Sequence, residues 1–178
     1  MTSRSKQALA DAYVRILQEG VSETPTVSRL AAEAGVTRRT FYRHYNCVGE
    51  ALGFAMGLRG SRFAENCGLP AGSSAQDYAL AIFRYWSANM DFLETLRASG
   101  NASMAITAWM EGASSSLHGL SPDAVRGNPA ALYLGEFMFG GLAAVLIAWS
   151  ADERRPPAHV MARIVALPLK SRPSDLHA

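Results

Sequence analysis

The stretch Thr26–Tyr45, TVSRLAAEAGVTRRTFYRHY, constrains the fold more tightly than any other part of the chain. Thr26 is placed to N-cap a helix that turns Val27, Leu30, Ala31 and Ala34 to one face and stops at Gly35. Val36 then packs inward, and Thr37 caps another short helix, Arg38–Tyr45. Glycine suits the intervening turn, which favours a left-handed residue. Upstream, Ala8, Leu9, Ala12, Tyr13, Ile16 and Leu17 recur at helical spacing before Gly20 ends the run. Three short helices with a glycine turn between the second and third are the layout of a helix-turn-helix unit.

The rest of the chain reads as further helices separated by clear breakers. A fourth runs over Val48–Asn66 and ends before Gly68 and Pro70; Pro70–Ser74 is a linker. Ser74-Ala75-Gln76-Asp77 is a helix-start signal for a fifth helix reaching about Ser99. Another is expected over Ser103–Leu117, then a breaker-rich loop to Pro129, where proline opens a long apolar helix to about Ser150. Pro156-Pro157 breaks the chain before a last helix, Ala158–Leu167, with Val160, Met161, Ile164 and Val165 inward. No strand pattern or internal repeat is present, so the expected fold class is all-α. Residues 1–46 read as a helix-turn-helix domain and 47–178 as a second helical domain, with 168–178 a frayed tail.

The third helix carries an unusual first turn. Thr37, Arg38, Arg39 and Thr40 stand where free backbone N–H groups attract anions, and two arginines there oppose the helix dipole by about 0.3–1 kcal/mol each. A partner outside the fold accounts for them. Phosphates can accept from the Thr37 hydroxyl, and Arg38 or Arg39 can reach guanine O6 and N7 in a major groove. Phe41 and Tyr45, four apart, plug inward and leave Thr40, Tyr42, Arg43 and His44 outward or sideways; a phenol and an imidazole suit phosphate contact. Charge alone would favour an ordinary solvated face; the ordered helix-turn-helix around these residues reverses that preference. The basic character belongs to the N-terminal quarter, since Met1–Tyr45 holds seven Lys/Arg against four Asp/Glu and the remainder ten against eleven.

On these residues the segment Val27–Leu52, VSRLAAEAGVTRRTFYRHYNCVGEAL, resembles the DNA-binding signature of the TetR family. The likeness lies in the alanine-rich second helix, the turn Ala34-Gly35-Val36 and the block Thr40–Tyr45. It implies that Thr26, Thr37, Arg38, Arg39, Thr40, Tyr42 and His44 face double-stranded DNA, and that Phe41, Tyr45 and Leu52 are core. One departure stands out. The family commonly has a polar cap followed by a phosphate-contacting lysine at the start of the fourth helix, where this chain has Cys47 and Val48. Arg43 or Lys6 is the expected substitute; otherwise binding is weaker than usual.

For the second domain the resemblance is looser and implies a homodimer with a small-molecule pocket. Phe137, Gly141, Ala144 and Ala148 form a stripe whose small residues allow close helix approach, an expected dimer interface built with the last helix. Two recognition helices roughly 34–36 Å apart would then read a pseudo-palindromic operator. Trp86 and Met90, with Met104, Trp109 and Met110 on the next helix and His118 beyond, are candidates for an apolar effector pocket. Stripes of this kind are also ordinary core.

Composition narrows the function classes. With 49% hydrophobic and only 18% charged residues, much apolar surface must be hidden internally or between subunits. The uncharged run Phe137–Ala151 falls short of the roughly 20 residues that a bilayer needs, and the N-terminus lacks a signal-like apolar segment, so a cytoplasmic protein is expected. Cys47 and Cys67 form no metal-ligand pattern, no cofactor motif occurs, and catalytic signatures are missing, so the expectation is a regulator rather than an enzyme. A ligand-released repressor is the leading reading. The alternative is a TetR-like protein with weakened or lost DNA binding that acts through protein contacts.

Overall fold

The computed structural model describes residues 4–21, 23–70, 73–116 and 129–167. Among them are helices and no strand: α1 (Arg4–Gln18), α2 (Val27–Glu33), α3 (Arg38–Tyr42), α4 (Val48–Asn66), α5 (Ala75–Ala88), α6 (Met90–Ala98), α7 (Ala102–Ser116), α8 (Pro129–Ala151) and α9 (Ala158–Ala166). His118 and the tail 168–178 lie outside the described residues. No helix among the described residues is long and apolar enough to cross a membrane.

Helix α1 buries Leu9, Ala12, Tyr13, Ile16 and Leu17, the face its spacing predicts, against α2, α3 and α4. Three expectations require correction. Helix α3 ends at Tyr42 rather than Tyr45; the chain continues as a turn in which the His44 and Tyr45 N–H groups both donate to the Phe41 carbonyl. The fifth predicted helix is two. Asn89, at φ −123° and ψ 34°, leaves the helical region, and its side-chain amide donates to the Tyr85 carbonyl at 2.7 Å, closing α5 before α6 starts. In α9, Ile164 is 48% exposed instead of inward, while Met161, Ala162 and Ala166 are buried.

Helix α4 is the spine, packed on α1 and, most extensively, on α7. Its seam with α7 is made by missing side chains. Gly49, Gly53, Gly57 and Gly60 share one face of α4, and Met104, Ala108, Trp109 and Gly112 approach it from α7. A methyl group at Gly60 would lie 1.9 Å from the Trp109 carbonyl oxygen, and one at Gly112 would lie 1.9 Å from that of Gly57. Backbone therefore meets backbone, and the Ser61 hydroxyl adds a hydrogen bond to the Gly112 carbonyl at 3.1 Å. Glycine costs a helix up to about 1 kcal/mol each, and the close approach accounts for Gly60 and Gly112, whereas a methyl at Gly49, Gly53 or Gly57 would meet its neighbours at 3.6 Å or more.

Beside the seam lies an aromatic cluster. Trp109 contacts Phe63, Tyr85 and Trp86 at ring-centroid distances of 4.8, 5.1 and 5.4 Å. Helix α9 packs on α5, and the α8–α9 turn is pinned where the Trp149 indole donates to the Pro156 carbonyl at 2.9 Å and its ring meets Phe83 edge-on. The Arg155–Glu94 ion pair ties that turn to α6.

Candidate nucleic-acid interface

Both helix-opening threonines act as the sequence predicts. Thr26 Oγ1 accepts from the Arg29 N–H and Thr37 Oγ1 from the Thr40 N–H, each at 3.2 Å. Thr37 and Thr40 hydroxyls also lie 3.1 Å apart. A hydroxyl that accepts a cap bond keeps its own O–H to give, so these caps can also donate to phosphate. Gly35 holds φ +65° in the turn, and the Val36 N–H closes it on the Ala31 carbonyl at 2.9 Å. That left-handed step is open to glycine at little cost and strained for other residues.

Phe41 is fully buried, Tyr45 nearly so, and the two rings stand 5.9 Å apart. The Tyr45 hydroxyl donates to the Lys6 carbonyl at 3.0 Å, which fixes the end of the α3 turn to α1; burial pushes its ionisation well above the usual phenol range. With that face anchored, Thr26, Thr37, Arg38, Arg39, Tyr42 and Arg43 are all exposed, and Thr40 and His44 are half-buried. Tyr42 shows 54% of its surface although its ring edge packs on Phe41, at 5.3 Å. The rest of that aromatic side chain lies open beside Arg38, Arg39 and Arg43, for which the described residues show no ion pair.

The His44 ring lies at 2.8 Å from the Ser5 hydroxyl. Burial first, then the charges of Arg43 and Lys6, holds its pKa below the ordinary imidazole range. The start of α4 departs from a polar cap as the sequence implies: Cys47 makes no side-chain cap bond. Glu50 reaches back instead. Its carboxylate accepts from the Asn46 N–H and side-chain amide, each at 2.9 Å, and these bonds hold its pKa below the usual carboxylate range.

Val48 packs into the core, and the Lys6 ammonium lies 4.5 Å from the Phe54 ring centroid and 5.6 Å from that of Tyr45. A cation from α1 thus stands at the end of the interface where α4 itself offers none. Arg29, which the sequence reading did not single out, is also exposed, in the first turn of α2.

The other predicted groups are placed differently. Trp86, Trp109 and Met110 are buried together in the filled core, Met90 is half-buried at the start of α6, and Met104 is 38% exposed with its thioether against Gly53. These residues are not brought around a common cavity among the described residues; the open groove on this side of the molecule is lined from α4 and α5. Phe137, Gly141, Ala144 and Ala148 are all exposed along α8.

No family model matches the sequence, and no curated protein matches it. Among solved structures it is similar to the fatty acid degradation regulator FadR from Bacillus halodurans, with a TM-score of 0.54 and 16% identity over 93% of this chain and 94% of that one. It is also similar to a tetR-family transcriptional regulator from Streptomyces coelicolor, at a TM-score of 0.47 and 13% identity over 93% of this chain and 79% of the other. The likeness to the Bacillus protein runs end to end in both chains and is one of fold. That likeness shows that this chain shares the all-helical fold of the Bacillus regulator, with a helix-turn-helix near its start.

Proposed function

We propose that the protein is a transcriptional regulator that reads an operator through α3, acts as a homodimer and is released by a small molecule. The observation that carries the DNA reading is the division of α3: one face locked by Phe41 and Tyr45, the other presenting Thr37, Arg38, Arg39, Tyr42 and Arg43 to solvent. Arg38 and Arg39 supply base contacts to guanine, the threonines and Tyr42 position the helix on phosphates, and Lys6 gives the cation that Val48 cannot.

The dimer reading is supported by the outer face of α8. Tyr133 and Phe137 are 72% and 69% exposed, and Gly140, Gly141, Ala144 and Ala148 continue the same exposed helix, with Ile164 open on α9 and Leu167 open just beyond its end. An apolar face of this extent on a chain with few charges calls for a partner, and a second copy covers it with the same surface.

Selection from a random duplex library followed by fluorescence anisotropy tests the reading. The expected result is a pseudo-palindromic site whose affinity falls with salt and is lost in Arg38→Ala and Tyr42→Ala, both at exposed positions that leave folding intact. A protein that enriches no sequence and shows no salt-sensitive binding would sink it. Sedimentation of Phe137→Glu as a monomer, beside a dimeric parent, tests the second part.

A further inference from the structure

We propose that the groove between α4 and α5 is a binding site for an apolar organic anion, a carboxylate on an aromatic or short aliphatic body. The groove is open to solvent and holds about 780 Å³, within the range of small-molecule sites. Arg59 and Arg62 of α4 and Arg84 of α5 line it, together with Phe63, Leu80 and Tyr85. Among the described residues none of the three arginines makes an ion pair. Asp77 is the one carboxylate in the lining, and it is occupied by the Ser74 hydroxyl and N–H that cap α5. Three cations over an aromatic floor therefore meet a single carboxylate within the groove, Asp77, one oxygen of which already caps α5.

An unsatisfied buried atom points the same way. Among the described residues Arg59 Nη1 is buried with no hydrogen-bond partner, its guanidinium 4.9 Å from the Phe92 ring. It is a donor, so what it lacks is an acceptor. Guanidinium planes recognise carboxylate in a fork and stack on aromatic faces, which a compact ion such as phosphate cannot exploit together with the apolar floor.

The site also has a route to the DNA-reading head. Arg59 and Arg62 line a second, smaller groove between α1 and α4, with Gln7, Asp11 and Arg15. An anion that draws these two guanidiniums toward α5 withdraws them from the α1 side, so it favours a different setting of α1 on α4. In its regulatory sense the inference rests on the reading of α3 above; as a binding site it does not.

Calorimetry on the full chain without DNA tests it, with 2-naphthoate as probe, 2-naphthylmethanol as its uncharged counterpart and inorganic phosphate as charge without a body. Naphthoate is expected to bind about tenfold more tightly than the alcohol and than phosphate. Arg62 and Arg84 are exposed, so the double variant Arg62→Gln/Arg84→Gln should fold normally, lose about tenfold in naphthoate affinity and keep its affinity for the alcohol. Naphthoate binding no tighter than the alcohol, or unchanged in the double variant, overturns the site. Operator affinity with and without naphthoate is measured separately. Naphthoate is expected to lower operator affinity; a protein that binds no operator even in its absence would remove the regulator reading and leave the groove's selectivity standing.

Discussion

The turn between α2 and α3 and the seam between α4 and α7 both bring two helices together, by opposite means. In the first, large side chains do the work: Leu30, Phe41 and Tyr45 fill the space, and two threonines fix where each helix begins. In the second the space is closed by omission, with Gly57, Gly60 and Gly112 letting carbonyls and amides meet directly. A side-chain interface can lose volume and partly relax, whereas a backbone interface has nothing that can move aside. The head is thereby able to vary its exposed face, and the spine is not able to vary at all.

The largest effect should come from the seam. Gly112→Ala puts a methyl 1.9 Å from the Gly57 carbonyl oxygen, and the expected loss is about 4 kcal/mol or more in chemical denaturation, despite alanine's better helix propensity. A stable Gly112→Ala would break the comparison. Next, Phe41→Ala in the head should cost about 3 kcal/mol, the ordinary penalty for emptying an aromatic from a core, with loss of operator binding.

Smaller effects sharpen the contrast. Thr37→Ala removes a cap that has no other side chain to replace it, for a loss of about 1 kcal/mol and weaker binding to duplex. Gly141→Ala, on an open face of α8 with nothing within 4 Å of the added methyl, should instead stabilise the isolated helix by up to about 1 kcal/mol while weakening self-association in sedimentation. The sign of the glycine effect then reports whether a partner backbone lies opposite.

The smallest is a pH effect at the start of α4. The folded-state pKa of Glu50 is lowered from 4.5, first by the Asn46 side-chain amide and then by the Asn46 N–H. Its stabilisation is therefore complete above the unfolded value and is lost as pH falls through the folded one. Glu50→Gln should flatten the dependence of stability on pH in that acid window and leave it unchanged near neutrality.

Much of this was legible in the chain itself, and particular residues show why. Thr26, Gly35, Thr37 and Ser74 act on backbone groups within a few positions of themselves, so capping and turn rules read them directly, and the bounds of α4 emerged as expected. The same locality explains where the reading slipped: Asn89 ends α5 by bonding four residues back, a small polar residue within an apolar stripe that continues past it. The aromatic and methionine residues proposed as a pocket wall show the limit of periodicity, since Trp86 and Trp109 fill one another's space rather than enclosing any.

By itself, then, the sequence determined an all-helical chain and a helix-turn-helix with its outward face, because those follow from interactions a few residues long. Tertiary structure alone decided the α4–α7 seam and the arginine groove. A glycine or an arginine has no partner written into its neighbours, and Gly60 acquires its meaning only from Trp109, as Arg59 and Arg62 acquire theirs from Arg84.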